Sequence, residues 1–151
     1  MSLDLSQNLS PNFKLIEFVV SQTAERRGID NTPQQLEIDR LKILCETILE
    51  PARAALGSLR ISSGYRCPEL NSAIGGAKHS AHMQGYAADV IPLHVSRIEF
   101  AKWVARNAQF DQIILEFGTP GEPAWIHVSC DPRFRKQILR TAHGGYEFAT
   151  L

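Results

Sequence analysis

Three residues in this chain have the types and surroundings to hold a metal ion. Asp89 is set in the apolar run "AADVIP", among Ala87, Ala88, Val90 and Ile91. A carboxylate in such company is costly to desolvate unless something positive meets it. The partner could be an arginine, a set of backbone N–H groups, or a metal ion shared with a histidine. His82 precedes Asp89 on the glycine-containing loop "SAHMQGY", and His127 lies in "AWIHVS" between Ile126 and Val128, so its ring projects to the face opposite those two. Two imidazoles and one carboxylate are the donor set of a catalytic zinc site, whose fourth position is left to water. Gly85 would let "MQGYAA" turn back so that His82 and Asp89 enter one cleft. Taken singly these signals are weak. A strand histidine is commonly a hydrogen-bonded core residue, a buried aspartate commonly a cap or ion-pair partner, and the helical H-E-x-x-H motif is absent.

The elements that must carry these residues can be read from periodicity and punctuation. "SPNFKLIEFVVS" predicts a short helix capped by Ser10, with Pro11 in its first turn and Phe13, Ile16 and Val20 on one side. Thr32-Pro33-Gln34-Gln35 predicts a capping box opening a helix with Leu36, Leu41, Leu44 and Ile48 on its apolar stripe. Pro51 is expected to kink or break that helix. "LRISS" and "AADVIP" read as strands, with a short helix from Pro68 stopped by Gly75-Gly76 between them. Ser96 and Glu99 predict a further capped helix with Ile98, Ala101, Val104 and Ala105 facing the core. "FDQIILEF" and "AWIHVS" read as a hairpin joined by "GTPGEP". "DPRFRKQILRT" is expected to be a closing helix or turn, and "HGGYEFATL" a loose or strand-like tail. The fold class this implies is α+β, a small, mainly antiparallel sheet flanked by helices.

Composition narrows the function classes. At 151 residues, one domain spanning 1–151 is expected, long enough to bury a core without staples. Sixteen basic and sixteen acidic residues cancel, which removes any global field toward nucleic acid or an anionic membrane. No run is long and apolar enough to span a bilayer. "MSLDLSQNLSPNF" lacks the basic and apolar regions of a secretory signal, so synthesis and folding in the cytoplasm are expected. Cys45, Cys67 and Cys130 are odd in number and widely spaced, which argues against a disulfide framework and a thiolate metal site. A monomer is expected.

"SSGYRCPELN", "SAHMQGYAAD" and "WIHVS", in that order, resemble the signature of the M15 zinc peptidases related to D-Ala-D-Ala carboxypeptidases. Within that family the N-terminal region and "FDQIILEFG" resemble the compact, phage-type branch, and the likeness runs through nearly the whole chain. The resemblance implies that His82, Asp89 and His127 are the zinc ligands. Ser80 and Gly85 match the framework around the first ligand. Arg66, of "SGYR", matches the arginine that binds a substrate carboxylate or polarises the scissile carbonyl. It also implies a hedgehog/DD-peptidase-like fold with zinc on the open face of the sheet. The implied substrate is the peptide part of peptidoglycan, and the implied chemistry is amide hydrolysis by an endopeptidase or carboxypeptidase of phage-lysin type. A lysin made without a signal peptide would reach the cell wall only after phage-assisted release.

One position departs from the pattern. Several relatives carry a general-base glutamate three residues before the last histidine, where this chain has Ala124. Glu116, ending the strand "DQIILEF", and Glu122, in the turn, compete for the role, and Glu116 is favoured because a hairpin would bring it near His127. Its rival reading is a structural partner of Arg66. Gln112 is expected near the site and Asp111 behind a ligand histidine. Trp125 is expected to point away from His127, as core or cleft wall. His79, His94 and His143 receive no role. The vacancy at Ala124 leaves open a non-catalytic alternative, a zinc-containing domain that binds peptide or wall fragments without cutting them.

Overall fold

A computed structural model describes residues 3–151. Its centre is a six-stranded sheet in the order β3-β4-β6-β5-β7-β8: β3 is Leu59–Ser63, β4 Ala87–Pro92, β5 Gln112–Glu116, β6 Trp125–Ser129, β7 Gln137–Ala142 and β8 Gly145–Phe148. All neighbours are antiparallel except β5 and β7, so the sheet is mainly antiparallel as its patterning predicts. In β4, β5 and β6, side-chain alternation sends Ala88, Val90, Ile113, Leu115, Ile126 and Val128 to one face, where all are buried in the core. That face packs against α3 (Gln35–Leu44) and α6 (Arg97–Asn107), which contribute Ile38, Leu41, Leu44, Phe100, Ala101 and Val104. The register pairs Asp89 with His127 and His127 with Ile114, so these three project together from the opposite face. The alternation that builds the core therefore also sets out the site.

The N-terminal region differs from its expected single helix. Asn8–Ser10 (β1) and Phe13–Lys14 (β2) form a two-stranded ribbon, and only Ile16–Val19 (α1) is helical. Ser10 caps nothing: its hydroxyl donates to the Glu50 carboxylate at 2.6 Å, as does the Asn12 N–H at 2.7 Å. That distant acid straightens the segment, which no local pattern announces. Helix α2 (Gln22–Arg27) follows, capped by Ser21. The cap of α3 also falls two residues later than expected. Gln34 is its extended N-cap, and the Glu37 carboxylate accepts the Gln34 N–H at 2.9 Å. Pro51 does not break the helix that follows. The chain widens into a π-helical stretch at Cys45–Leu49, where the Glu50 N–H bonds the Cys45 carbonyl, and Pro51 then enters the first turn of α4 (Glu50–Leu56). The missing N–H falls where the helical pattern is being reset.

The strand pair β3 and β4 and the short helix α5 (Pro68–Ala73) lie where their signals put them. Helix α6 is capped by Ser96, whose hydroxyl accepts the Glu99 N–H at 3.0 Å. The segment expected to close the chain as a helix or turn becomes a turn and a strand. Asp131 accepts from the Arg133 backbone N–H, and Phe134 and Lys136 both take positive φ, so no helix can propagate. The chain then crosses to the far side of β5 and runs as β7, parallel to it. Asp111 fixes that crossing: it accepts from the Arg135 guanidinium at 2.9 and 2.7 Å and from the Arg135 N–H at 2.9 Å. Among the described residues no helix is long and apolar enough to cross a membrane.

Candidate metal centre

His82, the first candidate ligand, sits on a 3-10 turn, Ala81–Gln84, whose entry is fixed by the Ser80 hydroxyl accepting the His82 N–H at 3.2 Å. The turn closes at Gly85, with φ +79°, where a Cβ would stand 2.6 Å from the Glu37 carbonyl oxygen of α3. Backbone conformation and close packing both demand glycine there, so "MQGYAA" can fold back from His82 to Asp89. Arg40 secures the same loop from α3: it donates to the Gln84 carbonyl at 3.1 Å, and its guanidinium lies 4.5 Å from the centre of the Tyr86 ring.

His82 Nε2, Asp89 Oδ1 and His127 Nδ1 form a triangle with all three sides 3.2 Å. All three residues are buried. On its other side the His82 ring meets the Gly64 carbonyl oxygen at 2.6 Å, and since a carbonyl can only accept, Nδ1 carries the proton. Nε2 of the neutral ring is then a lone pair aimed at a carboxylate oxygen and a second imidazole nitrogen. Three acceptors so close repel unless a cation, a proton on an imidazole or a metal ion, sits among them. A tetrahedral ion with bonds of about 2.0–2.1 Å sets its ligand atoms roughly 3.3 Å apart, so the donor set and its spacing fit zinc. Burial opposes ionisation of Asp89, but the two imidazoles outweigh it and hold the carboxyl far below the usual carboxylate range.

The triangle opens on a cleft of about 360 Å³ whose lining includes Arg66, Glu116, Trp125 and Tyr146. Glu116 is 7% exposed and has no ion-pair partner within 4 Å among the described residues. Burial pushes its carboxyl up to about 7; the negative Asp89 adds to the rise, while His127 and Arg66 oppose it. It is therefore not the structural partner of Arg66 that a bland reading would make it. Arg66 donates to the Ser80 hydroxyl at 3.4 Å, and its Nε is buried without a partner. Burial draws its guanidinium down, against the pull of Asp89 and Glu116. Trp125 stands two residues from His127 and so shares its face, contrary to the expectation that it points away. It walls the cleft, its indole N–H also unpartnered.

Other expected residues fall outside. Glu122 is exposed in the β5–β6 turn and does not line the cleft. Asp111 backs no ligand histidine, being fully engaged by Arg135. Gln112 does line the cleft, with its amide bonded to Gln137 at 2.9 Å. Cys67 caps α5, and Cys130 is buried with its thiol pushed up to about 12 by desolvation, an inert environment. Sequence reasoning assigned no role to Tyr146, which arrives on the strand-like form of the C-terminal tail, β8; burial, then Glu116 and Asp89, raise its phenol, so it keeps its proton. It also missed Asn31. That buried amide donates to the carbonyls of Val19 (2.9 Å) and Tyr65 (3.0 Å) and accepts the Cys67 N–H (2.8 Å), clamping the loop that carries Gly64 and Arg66.

A cluster of three potential metal ligands on the open face of a sheet, beside a raised carboxyl and a half-buried arginine, fits the class of metal-dependent hydrolases. The peptidase M15 family model matches residues 11–129, and the chain belongs to that family. It is also similar to the zinc D-Ala-D-Ala carboxypeptidase of Streptomyces albus G, with 36% identity over 83 residues. Those residues are 54% of this chain but 32% of that protein, so the chain matches about a third of its relative's length.

Proposed function

We propose that this M15 peptidase uses zinc, held by His82, Asp89 and His127, to hydrolyse amide bonds in peptidoglycan peptides, as a phage-type lysin of the hedgehog/DD-peptidase-like fold. The observation that carries the reading is the 3.2 Å triangle of acceptors opening on a cleft that Glu116 also lines. The D-Ala-D-Ala carboxypeptidase activity of the Streptomyces relative supports the substrate class. The phage assignment rests on the likeness of the N-terminal and β5 segments, and release to the wall by a phage-encoded pore follows from it.

Zinc bound at these three residues would polarise the scissile carbonyl and acidify a water molecule. The chain's own residues do the rest. Glu116, unprotonated, takes the proton of the attacking water and returns it to the leaving amine, a role open to a buried carboxyl that lines the same cleft as the triangle. Arg66 supplies a fixed cation for the developing oxyanion or for a substrate carboxylate. Tyr146, protonated, offers a second donor from the opposite edge of the cleft. The non-catalytic alternative leaned on Ala124, and Glu116 fills the gap from the neighbouring strand. The cluster comprises three residues among those described, which supports an open fourth position rather than a closed structural site.

The test is mass spectrometry of purified muropeptides after incubation with zinc-loaded protein, with His127→Ala as control. New fragments that depend on His127 are expected. Unchanged masses across all muropeptides would leave only the binding reading.

A further inference from the structure

We propose that the groove along the free edge of β3 is a second substrate subsite, in which an extended peptide bearing carboxylates lies alongside β3 and leads into the metal cleft. This rests on the peptidase reading and deepens it.

β3 is the outermost strand of the sheet, paired only with β4. Among the described residues, the backbone of Arg60–Ser63 makes no hydrogen bond to any segment other than β4. An unpaired strand edge is a template for another extended chain, whose main-chain groups would be satisfied there. This edge borders an open cavity of about 670 Å³ that residues from the α1–α2 region and α5 also line, a volume within the range of ordinary ligand sites.

The groove is continuous with the metal cleft, because Arg66 and Ile74 line both. Ser63, the last residue of β3, stands opposite Asp89 in the register, so a chain following β3 is delivered toward the ligand cluster. Charge sets the occupant. Arg26, Arg60 and Arg66 line the groove against one acid, Glu17, in a chain whose net charge is zero. None of these arginines forms an ion pair within 4 Å among the described residues. Unpaired guanidiniums beside an open strand edge suit a peptide that carries free carboxylates along its length, such as the stem of peptidoglycan. Arg66 then stands at a junction between two cavities and not at a closed end. The substrate accordingly continues past it, and the bond cut is internal: the enzyme acts as an endopeptidase.

Two measurements test this. With zinc-loaded wild-type protein, the stem tetrapeptide L-Ala-γ-D-Glu-diaminopimelate-D-Ala is compared with the same peptide in which the free carboxylates of D-Glu and diaminopimelate are amidated. Amidation is expected to raise KM by about tenfold or more, and Arg26→Glu with Arg60→Glu is expected to abolish that discrimination. Equal KM values in the wild type, or discrimination that survives the double substitution, overturn the proposal. Separately, NMR of zinc-loaded Glu116→Gln protein titrated with the acidic peptide should perturb the amides of Arg60–Ser63 and slow their exchange. Perturbation confined to the metal cleft, or none, counts against the groove. Absence of cleavage with perturbation at β3 would refute hydrolysis yet uphold the subsite, so the two readings fail separately.

Discussion

His82 Nδ1–H donates to the Gly64 carbonyl at 2.6 Å, and this bond determines which imidazole nitrogen faces Asp89 and His127. Gly64 is held in place because its Cα approaches α1 so closely that a Cβ would lie 2.6 Å from both Cα and Cβ of Phe18. The packing of β3's end against α1 thus reaches the metal centre through one carbonyl.

Gly64→Ala should therefore act at a distance. The added methyl must push the loop from Phe18, moving the carbonyl that orients the His82 ring. Loss of such an outer partner weakens metal binding by roughly 10–100-fold. Competition titration of zinc against a chromophoric chelator measures it, and affinity equal to wild type in a folded variant would mean that the carbonyl does not orient the ligand.

Glu116 carries the pH dependence. Its carboxyl is raised from the ordinary 4.5 to about 7 by burial and the neighbouring Asp89. The native state therefore binds the proton more tightly than the unfolded chain, and this group's contribution to stability declines as pH rises from 4.5 through about 7. On the proposed mechanism activity has the opposite slope, because a general base works unprotonated. Carboxyl NMR of metal-free protein should show a midpoint near 7 that falls when a dication is added beside it. Glu116→Gln should retain zinc and lose on the order of 10²–10⁴ in kcat. A midpoint near 4.5 in the metal-free protein, or full activity in the variant, would remove Glu116 as the base.

Tyr146→Phe deletes one hydroxyl from a residue that is 52% exposed, so folding should be unaffected. If the phenol donates to charge developing in the transition state, kcat drops by on the order of 100-fold while KM stays near the wild-type value. An unchanged kcat would make Tyr146 a wall of the cleft and nothing more.

The clustering of the three triangle residues was legible because a strand's period of two places His127 and Asp89 by simple alternation, and Gly85 marked the turn that returns His82. What stayed hidden depends on partners distant in sequence. Glu50 straightens the chain around Ser10 across a separation of 40 residues, and Asp111 extends an expected closing helix or turn into the crossing to β7. Tyr146 enters the site only because that crossing makes β7 and β8 part of the sheet. Asn31 is the sharpest case, since asparagine in a turn-rich stretch reads as a loop former. Asn31→Ala would strip partners from two buried carbonyls and one N–H, each costing about 1–3 kcal/mol. Denaturant unfolding should show a loss of about 3 kcal/mol or more, and a change below about 0.5 kcal/mol, typical of a surface site, would show that water replaces the clamp.

Metal removal tests the triangle directly. Asp89 is ionised far below neutral pH, so it offers an anionic donor without first losing a proton. An ion held among His82, Asp89 and His127 stabilises only the folded chain, which alone brings the three together. Tm should be higher with zinc than with a chelator at neutral pH. His127→Ala should abolish most of the difference, since two of three residues cannot close the site. A zinc-dependent Tm shift that persists undiminished in His127→Ala would place the ion somewhere other than the triangle.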